Sequence, residues 1–168
     1  MDIRDPEGVD GLSPSTEEPS WLDDAEQGAW RGLVDGAGLL LRVLDEELKT
    51  LHNLDFGDYE VLVVLSEAPD RRLRMAELAT LLISSRSRLT YRITQLEQRG
   101  LVARESVSTD RRGTFAVVTD SGLSSLEVAS LTHVAGVRRH LIDVLGSDRF
   151  QAVGSAMAIV SANLGGPQ

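Results

Sequence analysis

The sequence predicts a mainly helical α+β chain, in which a helix-turn-helix and a β-hairpin are set between long apolar-faced helices. Three observations predict it. From Ser84 to Arg99, Leu89, Ile93 and Leu96 recur on one face of a helix with a period of about 3.6 residues, while Ser84, Ser87, Arg88, Tyr91 and Gln95 fall opposite. After the helix stop at Gly100, Leu101–Val107 and the β-branched run Thr114–Thr119 form two strand candidates around Asp110-Arg111-Arg112-Gly113. On either side, leucines and valines repeat at helical spacing in segments too apolar to stand alone.

Taken in order, residues 1–19 are acidic, hold Pro6, Pro14 and Pro19, and lack periodicity, which predicts a mobile tail. Ser20-Trp21-Leu22-Asp23 resembles a capping box, with Asp23 and Asp24 placed to favour the helix dipole. Leu33, Ala37, Leu40, Leu41, Leu44, Leu48 and Leu51 then mark a long amphipathic helix, with Trp21 and Trp30 expected to pack. Asp55 is placed to cap a helix from Phe56 to about Ala68, closed by Pro69.

Arg71-Arg72-Leu73-Arg74 reads as a short strand. The following helix, carried by Met75, Leu78, Ala79 and Leu82, starts without a Ser, Thr or Asp cap. Only Ile83-Ser84-Ser85 separates it from the Ser/Arg-rich helix, which Ser84 or Ser85 caps and Gly100 ends. Two helices joined so tightly place the second as a reader of the DNA major groove. Past the hairpin, Thr119 caps a helix bearing Leu123, Leu126, Val134, Val137, Leu141 and Val144 up to Gly146, and Ser147 caps a last one bearing Phe150, Val153, Met157, Val160 and Leu164.

A net charge of -9 argues at first against nucleic acid, so its distribution decides. Residues 71–112 hold ten arginines against four carboxylates, a balance of +6, whereas residues 1–70 hold eighteen acids and four bases, a balance of -14. The remaining 56 residues carry four acids and three bases, so the basic charge is confined to the helix-turn-helix and hairpin, as a DNA footprint requires. No cysteine is present, which excludes disulfides, thiolate metal sites and cysteine-based redox sensing. The acidic start and the lack of a long apolar run predict a cytoplasmic protein without a secretory leader or membrane span.

The motifs in sequence carry a resemblance. Leu54-Asp55-Phe56-Gly57-Asp58-Tyr59-Glu60-Val61-Leu62, Met75-Ala76-Glu77-Leu78-Ala79, Ser85-Arg86-Ser87-Arg88-Leu89-Thr90, Leu96-Glu97-Gln98-Arg99-Gly100-Leu101-Val102, Asp110-Arg111-Arg112-Gly113 and Val118-Thr119-Asp120-Ser121-Gly122 together resemble the MarR family of transcriptional regulators over roughly residues 30–145.

The resemblance implies a winged helix-turn-helix with a helical dimerisation region. Residues 20–53 are then an N-terminal dimerisation helix, 54–119 the DNA-binding domain and 120–168 the C-terminal dimerisation helices. It implies a homodimeric repressor on a pseudo-palindromic double-stranded operator. Ser87, Arg88 and Tyr91 read bases, Ser85 and Thr90 hold phosphates, and Arg92 belongs to the same DNA-binding set. At the wing, Asp110 orients Arg112 toward the minor groove and Arg111 adds a phosphate contact. It further implies release by a small aromatic or anionic effector, to be sought near Trp30, His52, Tyr59 and His133.

Two other classes compete. An enzyme is disfavoured because His52, His133 and His140 show no metal-ligand spacing, and neither a nucleophile elbow nor a phosphate loop occurs, so no catalytic residue, metal or cofactor is assigned. A winged-helix module that binds protein would need an apolar outward face on the Ser84–Arg99 helix, and that face is polar.

Overall fold

The computed structural model describes residues 20–106 and 114–166. The acidic tail and the Asp110-Arg111-Arg112 tip therefore lie outside the described residues. By contacts the chain divides into Met1–Gly36 and Ala37–Gln168.

The first unit contains the start of helix α1, Asp24–His52. Its capping box is Asp23 with Glu26, not Ser20 with Asp23. The Asp23 amide donates to Glu26 Oε2 at 2.9 Å, and the Glu26 amide donates to Asp23 Oδ1 at 2.8 Å. A carboxylate at each end of this reciprocal pair also complements the helix dipole, which explains why the cap falls three residues later than expected. Trp21 and Trp30 are 86% and 56% exposed, so neither packs within the chain as expected.

In the second unit, Leu44 and Leu48 of α1 are buried. Helix α2, Phe56–Glu67, starts at Asp55, whose carboxylate accepts from the Asp58 amide at 2.7 Å. Strand β1, Arg72–Arg74, follows a 3-10 turn and leads directly into α3, Met75–Leu81, which has no side-chain cap. Helix α4, Arg86–Gln98, is the Ser/Arg-rich segment. It ends in a Schellman motif: Gly100 sits at φ 72°, the Leu101 amide donates to Leu96 O at 2.9 Å, and the Gly100 amide donates to Glu97 O at 2.9 Å.

Strands β2, Val102–Ser106, and β3, Thr114–Val118, complete an antiparallel sheet of order β1-β3-β2, with Leu73 opposite Ala116 and Arg104 opposite Ala116 on the other side. Alternation works as a half-buried strand requires: Val102, Ala116 and Val118 are buried. They join Leu48, Leu54, Val61, Leu62, Leu65, Leu78, Leu89, Ile93 and Leu96 in one core.

Helix α5, Asp120–Val137, is capped by the Thr119 hydroxyl, which accepts from the Gly122 amide at 3.0 Å. It continues through a π-helical turn, Arg138–Ile142, into α6, Asp143–Leu145. The wider turn lets consecutive residues reach one partner: Arg139 Nη2 donates to Glu47 Oε1 at 2.6 Å and His140 Nε2 lies 3.0 Å from the same oxygen. Helix α7, Ser147–Asn163, is preceded by Gly146 at φ 76°, which occupies the cap position without a side-chain bond, so Ser147 is the first helical residue and not the cap. None of the residues of α7 is buried, and Val153, Met157, Ile159, Val160 and Leu164 are exposed. Leu39, Leu41 and Leu51 of α1 and Val128, Leu131 and Val134 of α5 are exposed as well.

Candidate nucleic-acid interface

Helix α4 presents two chemically opposite faces. Leu89, Ile93 and Leu96 anchor it in the core, while Arg86, Ser87, Arg88, Thr90 and Tyr91 are exposed, Tyr91 at 69%. Ser85 is the N-cap; its hydroxyl accepts from the Arg88 amide at 3.4 Å and lies 3.3 Å from the Ser87 hydroxyl. The first turn thus brings Ser85, Ser87 and Arg88 together at the exposed end of the helix. Thr90 is exposed, but its hydroxyl donates to Arg86 O at 2.7 Å, so a phosphate contact from it requires that bond to be exchanged.

Arg92 departs from the DNA-facing set. Its guanidinium turns toward α2, pairing with Asp55 and with Asp58 Oδ1 at 2.6 Å. Burial works against its charge, yet the two carboxylates outweigh that and raise its pKa above the ordinary arginine value. Arg99 joins the same cluster, with Nη1 2.9 Å from Asp58 Oδ2 and Nη2 donating to Asn53 O. Asp58, only 7% exposed, is thereby held by two arginines, one from the middle of α4 and one at its C-cap. Gly57 makes room for this clamp, since a Cβ there would lie 2.5 Å from Arg92 Cζ.

Other arginines of the basic segment are also engaged. Arg104 pairs with Glu97 and donates to Thr94 Oγ1 at 2.8 Å. Arg72 lies within 3.6 Å of Asp70 and 3.5 Å of Glu105, and the guanidinium groups of Arg72 and Arg74 sit 5.1 and 5.4 Å from the Phe115 ring centroid. Among the described residues, no carboxylate pairs with Arg86 or Arg88. These two stand in the first turn of α4, where the helix dipole makes a cation unfavourable unless an anion answers it. Two unneutralised charges of the basic segment therefore stand at the entering end of α4, and a third exposed cation without a carboxylate partner among the described residues, Arg71, lies ahead of β1. Arg86 was missed from the sequence; its signal was a cation placed immediately after a cap.

Between α4 and the start of α2 runs a cleft of about 360 Å³ lined by Asp55, Asp58, Arg88, Tyr91, Arg92, Gln95 and Arg99. Of the four residues considered for an effector, Tyr59 and His133 come together elsewhere, between α2 and α5, and His52 at the end of α1 reaches α5 beside His133. The His133 ring stacks 4.6 Å from Tyr59 and 5.8 Å from Phe56, His52 Nε2 lies 2.7 Å from Thr132 Oγ1, and the Tyr59 hydroxyl lies 3.4 Å from Ser130 Oγ. His133 Nδ1 is buried without a hydrogen-bond partner among the described residues, and burial lowers the pKa of the ring. Trp30 belongs to the first unit. Asp110, Arg111 and Arg112 lie outside the described residues.

Among the described residues no group of three His, Asp or Glu side chains is arranged to hold a metal ion, and no helix is long and apolar enough to cross a membrane.

Comparison with known proteins agrees with this geometry. The sequence model of the MarR family matches residues 52–113. The HTH-type transcriptional regulator MhqR of Bacillus subtilis is 30% identical over 112 residues, covering 67% of this chain and 75% of that protein. AbsC, a MarR family transcriptional regulator from Streptomyces coelicolor, superposes with a TM-score of 0.81 at 41% identity, over 87% of this chain and 98% of AbsC. Sco3205 from the same organism, a MarR family regulator solved in complex with DNA, gives a TM-score of 0.82 at 39% identity over 86% of this chain and 94% of its own. With a polar, arginine-bearing helix of a winged helix-turn-helix at its centre, the chain belongs to the MarR family of transcriptional regulators.

Proposed function

We propose that this DNA-binding transcriptional regulator works as a homodimeric repressor on a pseudo-palindromic operator, entering the major groove with the first turn of α4. The observation that carries the reading is the pairing pattern of the arginines. Arg86 and Arg88 lack carboxylate partners among the described residues, whereas Arg92, Arg99 and Arg104 are tied down and hold the helix in place. Ser87, Arg88 and Tyr91 read base edges, and Ser85, Thr90 and Arg86 take phosphates. The reading extends to the wing tip, outside the described residues, by assigning Arg112 with Asp110 to the minor groove and Arg111 to a phosphate. The DNA complex of the 39% identical Sco3205 supports duplex DNA as the partner.

Dimerisation rests on the apolar side chains that α1, α5 and α7 leave exposed in one chain. So much apolar surface is unfavourable in a monomer, and a second copy is the partner that buries it symmetrically. Two recognition helices then reach successive major grooves about 34 Å apart. Release by a small aromatic or anionic effector is assigned to the region of Tyr59 and His133, whose rings lie 4.6 Å apart, and of His52, which reaches Thr132 beside His133. Such an effector acts by binding the non-operator conformation more tightly. The setting is the cytoplasm.

The test is duplex binding across a salt series, with mass measured by light scattering. Expected are a mass twice the 18.2 kDa of one chain and a slope of log affinity against log salt of about -0.9 per phosphate contact. A monomer, or a flat salt response, contradicts the proposal.

A further inference from the structure

Ile83, in the turn between α3 and α4, is in a conformation that its side chain opposes twice. Its φ is 47°, in the left-handed region where a β-branched residue is an outlier and glycine or asparagine is favoured. The position is a helix C-terminal stop: the Ile83 amide donates to Thr80 O at 3.2 Å and the Ser84 amide to Ala79 O at 3.0 Å. Its side chain is 80% exposed, so the strain is not offset by packing in the chain. Backbone and solvent both favour another residue here.

The surroundings point to what favours isoleucine. Ile83 lines one surface hollow of about 210 Å³ together with Arg88 and Arg92 of α4, and another of about 400 Å³ together with Ser84 and Arg86. It thus shares a hollow with each of the two arginines of the first turn that have no carboxylate partner among the described residues. A surface that sets one apolar group beside such cations at the start of the recognition helix suits duplex DNA better than a protein partner. In the major groove, the apolar group that a base edge offers is the thymine C5 methyl. We propose that Ile83 is a specificity-determining residue that packs on a thymine methyl next to the base pair read by Arg88. This rests on the reading of α4 as the DNA-entering helix.

The experiment uses the full chain and the duplex that the wild-type protein enriches from a random pool. Each thymine is replaced in turn by deoxyuridine, which lacks only the C5 methyl, and binding is compared for wild type, Ile83→Gly and Ile83→Ala. Glycine suits the left-handed backbone, while alanine keeps a Cβ but loses the apolar reach. The wild type is expected to lose about fourfold at one thymine per half-site, the scale of one buried methyl group. Both variants should show the same loss on the unmodified duplex and no further loss on the deoxyuridine duplex. Wild-type affinity in both variants, or losses that multiply at every thymine, would overturn the Ile83 contact while leaving DNA reading by α4 intact. Failure of the wild type to enrich or bind any duplex would instead remove the underlying DNA reading, and the contact with it.

Discussion

Asp58→Asn probes how the recognition helix is held. The carboxylate receives Arg92 at 2.6 Å and Arg99 at 2.9 Å, and it is itself buried. Two charge-assisted hydrogen bonds of about 1.5–3 kcal/mol each set an upper bound of about 6 kcal/mol. Both guanidinium side chains remain 32% and 30% exposed, so water recovers part of the loss, and about 2–3 kcal/mol is expected. At roughly 3 °C per kcal/mol for a chain of this length, Tm should fall by about 6–9 °C at fixed protein concentration. Arg92 keeps its pairing with Asp55, but Arg99 loses its carboxylate and becomes available to phosphates, so the salt slope on random duplex should steepen by up to about 1 unit while preference for the selected duplex falls. A Tm within about 1 °C of wild type would show that Asp58 does not hold these arginines, and the account of α4 positioning would fail.

Further outcomes follow from single contacts. Gly122→Ala should destabilise by about 3 kcal/mol in chemical unfolding despite alanine's better helix propensity, because its Cβ would lie 2.1 Å from Leu101 O, a backbone atom that cannot step aside; an unchanged midpoint would contradict the close approach of α5 to β2. Burial holds the His133 pKa below the ordinary 6.5, so as pH falls through that value the unfolded ring takes up a proton that the native ring resists, and stability is lost toward acid. Tm measured from pH 7.5 down to about 5.5 should therefore drop more steeply in wild type than in His133→Phe, and parallel curves would refute the burial of a neutral ring. Arg88→Ala should cost about 1–3 kcal/mol at one base position, whereas Arg86→Ala should weaken all duplexes alike and flatten the salt slope by about one unit. Identical profiles for the two would refute the division between base and phosphate contacts.

What could be read from the sequence was what local chemistry decides. The faces of α4, the Asp55 and Thr119 caps and the Gly100 stop each depend on residues a few positions apart, and the structure has them as expected. Arg92 was misread because its outcome depends on Asp55 and Asp58, which are 37 and 34 residues away in the chain. Counting charge along the segment likewise overstated the free positive surface, since Asp55 and Asp58, which lie outside the segment, pair with Arg92 and Arg99. At the start of α1, Ser20 and Asp23 offered one cap and Asp23 with Glu26 a better one, a competition that pattern alone did not decide. The π turn that brings Arg139 and His140 to Glu47 has no counterpart in hydrophobic spacing.

Enrichment of bound duplexes from a random pool by the purified protein tests the central claim most directly. The account predicts an inverted repeat whose half-site centres lie about one helical turn, or about 10–10.5 base pairs, apart. A pool that yields no enriched motif, or a single half-site with no inverted partner, would contradict it.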